Sequence, residues 1–408
     1  MSRPAPSPGQ VFLAFLALGL TSFGGPVAHI GYFREAFVAR RGWLDERGYA
    51  ELVALCQMLP GPTSSQVGVG IGLTKAGFRG ALAAWVGFTA PSAALMIGVG
   101  YGVVAWQDAI PPGLLAGLKA VVVAVVALAV WGMARTLCPD PPRVTIAAVG
   151  AAVALGIGGP AGQVGVILGG ALAGLLLLGK PAETPPATPP ATPPAGPRGS
   201  RPAGARAALW LGLFVALLIL LPLAASAWPS QTLALVDGFY RSGALVFGGG
   251  HVILPLLEAE VLPPGWVARD AFLAGYGAAQ ALPGPLFTFA AYLGTVMEIP
   301  PTGWQGALIC LAAIFAPSFL LVAGALPLWT ALGRREATRR ATPGINAAVV
   351  GLLLAALYDP VWTEGVRSPG DFVLALAAFV LLAAWKAPPW LVVLLGAAAG
   401  WGWEAVLR

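Results

Sequence analysis

The sequence predicts an all-α polytopic membrane protein made of two homologous halves, each with a helix broken at a Pro-Gly-Pro motif. Three observations predict this fold class. Of the 408 residues, 58% are hydrophobic and 10% are charged. The mean hydropathy of +0.81 lies far above that of soluble domains. A series of motifs in the first half of the chain also returns in the same order in the second half.

The first apolar segment, 11–30, is interrupted by Gly24, Gly25 and Pro26. Glycines and a proline inside a membrane segment predict a kink or an unwound turn whose backbone groups need polar partners. The residues before this segment show no small-residue cleavage pattern, so we expect the first helix to direct membrane insertion itself. The segment 32–47 mixes charged and aromatic residues, which is typical of a helix lying at the membrane interface.

A second interruption follows at Pro60, Gly61 and Pro62. The two prolines lack the N–H that an α-helix requires, and each disfavours helical geometry in the residue before it. The chain is therefore expected to form two short helices, one capped by Asp45 and ending at the break, the other starting at Thr63. These helices form either a re-entrant hairpin or one discontinuous span.

Full membrane spans are expected at 81–105 and 113–134, because about 20 apolar residues suffice to cross the hydrocarbon layer. The apolar run 144–178 is too long for one span. The glycine-rich segment 158–162 is expected to divide that run into two antiparallel helices. One more apolar span is predicted at 208–227.

The segment 180–206 differs in composition from the rest of the chain. It contains repeated Ala-Thr-Pro-Pro units and basic residues, which predicts a solvated linker without a core of its own. We expect it to separate an N-terminal repeat, 1–179, from a C-terminal repeat, 207–408, that includes the additional helix.

Matched motifs indicate an internal duplication. Gln57 follows Trp43 by 14 residues, Gln280 follows Trp266 by the same interval, and a Pro-Gly-Pro triplet begins three residues after each glutamine. The offset between matched positions is 223 to 227 residues. If each half crosses the membrane an even number of times, the additional helix turns the second half over. We therefore expect inverted repeats with both breaks near the membrane midplane.

Composition and motifs also exclude several function classes. The net charge of +6 arises from arginines in loops, and no basic and aromatic stripe predicts nucleic-acid binding. Three cysteines without a CxxC spacing and two histidines predict no disulfide framework, metal site or cofactor. No HExxH, GxSxG or phosphate-loop motif occurs in a plausible context, so an enzyme is not expected. Three basic clusters compete for the cytoplasmic side, which leaves the orientation open.

The two broken segments supply the candidate binding site. A helix N-terminus presents unpaired backbone N–H groups and a partial positive charge, so two such ends that face each other suit a doubly charged oxyanion. The alternative is that the glycines and prolines form tight bends between packed helices. The candidate substrate-binding residues at the breaks are Gly24, Gly25, Gln57, Pro60, Gly61, Pro62, Thr63, Ser64, Ser65, Gln66, Gln280, Gly284 and Thr288.

Polar residues within other apolar runs extend the candidate set. Lys119 either contacts the substrate or extends its charge to the membrane interface, and Asn346 is its polar counterpart in the second half. Arg34 either attracts an anion or serves as an ordinary topology charge. Two histidines and two glutamates either take part in ion coupling or have structural roles, the histidines as buried hydrogen-bonded residues and the glutamates as acids at the membrane interface. The coupling candidates are His29, His251, Glu258 and Glu260.

The segments 23–29 (FGGPVAH), 41–45 (RGWLD) and 57–66 (QMLPGPTSSQ) together closely resemble the first-half signature of the bacterial chromate ion transporter family. The segments 247–255 (FGGGHVILP) and 280–285 (QALPGP) resemble its second-half signature. The resemblance spans both halves, as in the long, two-domain members. It implies a multi-pass protein of the cell inner membrane that exports chromate and confers chromate resistance, with sulfate as a competing dianion.

The resemblance leaves alternatives open: a passive oxyanion channel, an uptake carrier for sulfate or a related oxyanion, and a membrane scaffold without transport. A homodimer is also open. Because Leu286 and Phe287 stand where the first half has Thr63 and Ser64, we do not expect the halves to contact substrate equally. The segment 57–66 is the preferred site, and rocking of the two repeats about the paired breaks is the expected mechanism.

Overall fold

The structure is a computed structural model in which the described residues form helices and the turns between them, with no β-strand among them. This confirms the predicted all-α class. Gly24 and most of the predicted linker lie outside the described residues. The described parts of the chain are 5–23, 25–106, 111–157, 159–178, 203–247, 250–328 and 336–407.

In the first half, four short helical stretches precede the long membrane helices. Helix α2 continues as a π-helix over Glu35–Arg40, and α4 is kinked at Ala76 and Gly77, where Gly77 has a φ of +64°. The predicted span at 81–105 therefore belongs to the second of two helices that meet at this kink and carry the label α4 together. The helices are α1 Pro8–Thr21, α2 Gly25–Arg34, α3 Glu46–Met58, α4 Thr63–Trp106, α5 Pro112–Leu137, α6 Pro141–Ile157 and α7 Gly159–Leu177.

The second half repeats this order after one additional helix, α8. Its short helices are accompanied by 3₁₀ turns at Gly250–Val252 and Leu286–Thr288. The helices are α8 Ala203–Ala227, α9 Gln231–Ala244, α10 Ile253–Val261, α11 Arg269–Ala281, α12 Phe289–Val296, α13 Gly303–Ala325, α14 Glu336–Ala356, α15 Pro369–Ala383 and α16 Pro389–Leu407.

The short helices form re-entrant hairpins. The Phe15 ring in the middle of α1 stacks on Phe37 of the π-helix at a centroid distance of 4.6 Å. The chain after α2 therefore runs back alongside α1. Gly70 of α4 lies against Leu52 of α3 in the same antiparallel manner. The alternative left open by the sequence is thereby decided, since both helices beside the first Pro-Gly-Pro break meet the same membrane face.

The second half contains the equivalent pair of hairpins. Arg241 of α9 binds Glu260 of α10, and Gly275 of α11 lies against Tyr292 of α12. The N–H of Glu298, just after α12, donates to the carbonyl of Trp266, just before α11, at 3.0 Å, so the beginning of α11 lies beside the end of α12. The four hairpins therefore point their tips toward the middle of the protein.

Equivalent long helices of the two halves run antiparallel. In α4 and α13, Trp85 packs on Phe319 with ring centroids 5.7 Å apart, and Tyr101 accepts a hydrogen bond of 2.9 Å from the backbone N–H of Trp304. Early residues of one helix thus meet late residues of the other. A two-fold axis across the helices relates such a pair, which confirms the predicted inverted repeats.

The long helices exchange partners between the halves. Helix α5 packs on α15 and α16, whereas its counterpart α14 packs on α6 and α7. Only 6% of the most apolar stretch of α8 is buried, so most of the helix surface is left for contact with lipid. By length and hydropathy, five described helices can cross a membrane: Thr63–Trp106, Gly113–Leu137, Gly204–Ala227, Gly303–Leu328 and Arg340–Gly365.

Candidate functional site

The two Pro-Gly-Pro breaks bind each other's half of the protein through reciprocal hydrogen bonds. The backbone N–H of Gly61 donates to the carbonyl of Val246 at 2.6 Å, and the N–H of Gly284 donates to the carbonyl of Ser22 at 2.9 Å. Ser22 and Val246 are themselves equivalent, because each ends the first helix of a hairpin. The four hairpin tips thus form one junction, which we call the tip junction.

The pseudo-two-fold axis passes through this junction. Pro26 and Gly250 occupy equivalent positions, and a Cβ on Gly250 would lie 3.2 Å from the Pro26 ring. A residue that touches its own counterpart must lie beside the axis. The predicted placement of both breaks at the interface of the repeats therefore agrees with the structure.

Two serines that the sequence reasoning did not include complete the junction. A Cβ on Gly61 would lie 3.0 Å from the Oγ of Ser318, and one on Gly284 would lie 2.9 Å from the Cβ of Ser92. Both serines follow a proline inside a long helix, α4 or α13. The repeated Pro-Ser dipeptide was the sequence signal that could have identified them.

The two equivalent serine environments differ in their hydrogen bonding. The Ser92 hydroxyl donates to Thr288 Oγ1 at 2.7 Å, and Thr288 in turn donates to the carbonyl of Pro285 at 2.9 Å. In the other half, the Oγ atoms of Ser318 and Ser65 are buried without a hydrogen-bond partner among the described residues. Ser65 and Ser318 therefore keep hydrogen-bonding capacity that Thr288 and Ser92 have already used.

Three more oxygens of the first half share this property. Within the described part of the chain, Ser22 Oγ, Thr89 Oγ1 and Gln66 Oε1 are buried without a hydrogen-bond partner. The amide nitrogen of Gln66 donates to the Pro60 carbonyl at 2.6 Å, which fixes the side chain across the break. A buried, unsatisfied polar group costs about 1–3 kcal/mol, so a cluster of them is typical of a ligand site.

The electrostatics of the junction favour an anion. Helix α4 begins at Thr63, and its first N–H groups have no acceptor within the helix, while Ser64 and Ser65 of the first turn are buried. His29 lies at the same place, with Nδ1 3.4 Å from the Ser64 hydroxyl and Nε2 3.2 Å from the Ser22 carbonyl. Helices α2 and α10 also begin here.

Other predicted site residues lie apart from this buried cluster. Gln57 is exposed and Gln280 is half-buried, although each precedes its break by three residues. Gly25 begins α2 with a φ of +75°. Arg34 forms an exposed ion pair with Glu46, at the far end of α2 and about 14 Å along the helix from Gly25.

Lys119 and Asn346 lie on the long helices. The side chain of Lys119 is 8% exposed, and its Nζ is 2.6 Å from Asp270 Oδ1 on α11 of the second half. Asn346 is half-buried on α14. The lysine thus connects the two halves through an ion pair, a contact that the sequence did not indicate.

Of the remaining coupling candidates, His251 and Glu260 have side-chain partners. His251 Nδ1 is 2.8 Å from the Tyr276 hydroxyl. Glu260 accepts two hydrogen bonds from Arg241, whose Nη2 also lies 3.1 Å from Asp237. Glu258 is half-buried near the end of α10. Among the described residues, no group of three or more histidines, cysteines or acids could hold a metal ion.

Inverted repeats whose re-entrant helices meet at a polar, buried junction define a class of multi-pass membrane protein found among secondary transporters. The family model described as "Chromate transporter" matches residues 9–175 and 233–401. The chain therefore belongs to the chromate transporter family, which is a family of transporters.

Individual relatives agree with this assignment. A chromate transport protein of Pseudomonas aeruginosa is 28% identical, over 98% of this chain and 93% of its own length. A probable chromate transport protein of Synechococcus elongatus is 27% identical, over 98% of this chain and 96% of its own length. A chromate transport protein of Cupriavidus metallidurans is 26% identical, over 92% of this chain and 86% of its own length. No solved structure matches the chain.

Proposed function

We propose that this protein exports chromate across the cell inner membrane, confers chromate resistance, and binds the anion at the first Pro-Gly-Pro tip. The observation that carries this proposal is the cluster of buried oxygens at the start of α4 that have no hydrogen-bond partner among the described residues. Membership of the chromate transporter family supports chromate as the substrate.

The chemistry of the tip suits a tetrahedral dianion. Hydroxyl groups of Ser65 and Ser318 donate hydrogen bonds to the oxyanion, and the N-terminus of α4 adds backbone N–H groups and a partial positive charge. Ser92 and Thr288 bind each other instead. One anion is therefore expected per chain. Sulfate has the same shape and charge and is expected to compete.

The charge distribution supports one orientation in the membrane. We call the face at which α1 begins the α1 face, and the opposite face the α9 face. Because basic residues concentrate on the cytoplasmic side of membrane proteins, the α1 face is the cytoplasmic one. The basic residues described at the α1 face include Arg40, Arg41, Lys75, Arg79, Arg135, Arg143, Arg206, Arg340 and Lys386.

The opposite face supports the same orientation. Arg269 lies 3.6 Å from Glu364 there, and Arg367 forms an ion pair with the same carboxylate. Acidic side chains at the α9 face include Glu258, Asp270, Glu298, Asp359, Glu364 and Asp371. The basic segments that seemed to compete in sequence can therefore share one side, because the short hairpins return to the face from which they enter.

The energetics of export agree with the modest set of coupling candidates. Moving a dianion out of a cell with a negative interior is favourable by about 2.3 kcal/mol per charge per 100 mV. Glu260 is already bound by Arg241. Export thus requires no coupled ion, and the halves can alternate access by separating the Gly61–Val246 and Gly284–Ser22 contacts in turn.

The experiment that tests the site replaces its two serines. A Ser65→Ala, Ser318→Ala variant is expected to lower saturable chromate flux about tenfold or more, because hydrogen bonds to a charged group are among the stronger ones. Thr295→Val is the matched control, since its buried hydroxyl already donates to Ala291 within its own helix. Chromate tolerance and accumulation are measured in cells that express each variant at equal levels.

Flux in proteoliposomes separates the mechanisms. Saturable flux from the α1 face that is slowed by excess sulfate supports a carrier. Strictly downhill flux that never saturates indicates a passive channel, and net accumulation in cells indicates uptake. If the double serine variant transports like the parent protein, the site assignment is wrong.

A further inference from the structure

A cavity lined by basic residues lies at the α1 face, apart from the tip junction. Its volume is about 770 Å³, and it opens between the start of α1, the turn after the π-helix and the kink of α4. Polar and aromatic side chains face it from all three elements. They are Gln10, Arg40, Arg41, Trp43, Thr74 and Lys75.

The cationic groups of this cavity are held in position by their surroundings. The guanidinium carbon of Arg41 lies 5.8 Å and 5.9 Å from the ring centroids of Phe37 and Trp43. Lys75 is half-buried where α4 kinks, and Arg40 is held at 2.8 Å by Glu35. Stacking on aromatic rings orients the planar donor fork of an arginine, which reduces the entropy lost on binding a ligand.

The equivalent position in the second half shows that the fold does not need these cations. Gly42 and Gly265 make the same turn, with φ values of +59° and +70°. Pro263 and Pro264 stand in the second half where the first has Arg40 and Arg41, and the turn 297–302, which corresponds to the kink that holds Lys75, contains no basic residue. The same backbone therefore forms at the α9 face without any of the three positive charges.

We propose that this cavity binds a tetrahedral oxyanion group of the phosphate type. An arginine guanidinium, whose Nη1 also contacts the Ala36 carbonyl at 3.4 Å, and a lysine ammonium that line the same cavity match such a group, and the cavity is large enough for it. Trp43 places the site at the depth of lipid headgroups, so the group belongs either to an anionic phospholipid or to a free oxyanion. Binding at this site does not depend on the proposed export activity.

The test measures binding to the purified full-length protein in an uncharged detergent by titration calorimetry. The probes are inorganic phosphate and dioctanoyl phosphatidylglycerol, with the zwitterionic lipid dioctanoyl phosphatidylcholine, which has no net charge, as the comparison. An Arg41→Gln, Lys75→Gln variant is expected to bind at least about tenfold more weakly. The control Arg79→Gln, which removes an exposed charge from the same face, is expected to bind like the parent protein.

The outcomes separate the two sources of the oxyanion. Saturable binding of phosphate that is lost in the double variant assigns a free oxyanion. Loss confined to the phosphatidylglycerol titration assigns a lipid headgroup. The inference is overturned if the parent protein binds neither probe, or if both variants bind as the parent does. The Ser65→Ala, Ser318→Ala variant is expected to retain binding, which keeps this result separate from the transport site.

Discussion

At the scale of single residues, the tip junction depends on glycines in which a side chain would be both strained and obstructed. Gly61 has a φ of +124°, a region that other residues rarely adopt, and Gly284 has a φ of +98°. Their N–H groups make the contacts between the halves. The Pro-Gly-Pro motif thus sets the backbone geometry of the break, whereas the proposed anion binding is assigned to the hydroxyl groups of Ser65 and Ser318.

Replacing Gly61 by alanine tests this interpretation. A Cβ at that position would lie 2.5 Å from the amide nitrogen of Gln66. Gly61→Ala is therefore expected to lower the free energy of unfolding by about 1–3 kcal/mol and to reduce chromate flux. Thermal unfolding of the detergent-solubilised protein measures the first effect.

Gly31→Ala serves as the matched control, since a Cβ at position 31 would have no neighbouring group within 4 Å. In that exposed helical position, alanine is expected to leave stability unchanged or to raise it slightly. Equal stability of the Gly61 and Gly31 variants would contradict the role assigned to the break.

At the scale of helices, the ion pair between Lys119 and Asp270 fastens α5 to α11 across the two halves. The Lys119 side chain is buried, whereas the Asp270 side chain is 55% exposed. The carboxylate therefore compensates a charge that would otherwise be buried alone. This geometry favours a structural role for Lys119 over direct contact with substrate.

Removing the carboxylate is expected to cost more than removing both charges. Asp270→Asn should lower the unfolding free energy by about 3–5 kcal/mol, because it leaves the lysine buried without its partner. Lys119→Met combined with Asp270→Asn should recover part of that loss, and unfolding of the single and double variants measures the coupling.

The ion pair of Glu35 and Arg40, in which both side chains are largely exposed to solvent, provides the comparison. The side chains of Glu35 and Arg40 are 53% and 73% exposed, respectively. Glu35→Gln breaks this ion pair and is expected to change the free energy of unfolding by less than about 1 kcal/mol. If Lys119→Met alone abolishes chromate flux while the protein remains stable, the lysine has a role in transport instead.

At the scale of the whole molecule, the inverted architecture follows from the parity of membrane crossings. Each half enters and leaves by two re-entrant hairpins before its long helices cross, so the hairpins do not change sides. Helix α8 then reverses the second half. The same arrangement places Arg40, Lys75, Arg143 and Lys386, among other basic residues, at the α1 face.

Site-directed labelling tests that orientation. Arg79→Cys, at the α1 face, is expected to react with a membrane-impermeant maleimide only after the cells are permeabilised. Arg367→Cys, at the α9 face, is expected to react in intact cells. Cys56, Cys138 and Cys310 are buried, so the parent protein provides the background. The reverse labelling pattern would overturn the proposed orientation and, with it, the direction of export.

The sequence by itself determined the membrane class, the duplication and the two breaks, because hydropathy, proline and glycine act locally and leave a readable pattern. It also indicated the likeness of both halves to one family. The partners of each break could not be read from the sequence. Gly61 meets Val246 and Ser318, and Gly284 meets Ser22 and Ser92, at separations along the chain that no local pattern encodes.

Only the tertiary structure decided that Ser65 and Ser318 keep hydrogen-bonding capacity, whereas Thr288 and Ser92 do not. Both halves offer a hydroxyl at the equivalent position, Ser65 or Thr288, so composition alone does not distinguish them. Thr288 is satisfied by Pro285 and Ser92, whereas Ser65 and Ser318 remain without partners among the described residues. Hydrogen bonding depends on distances of a few tenths of an ångström, and those distances are set by packing between the halves.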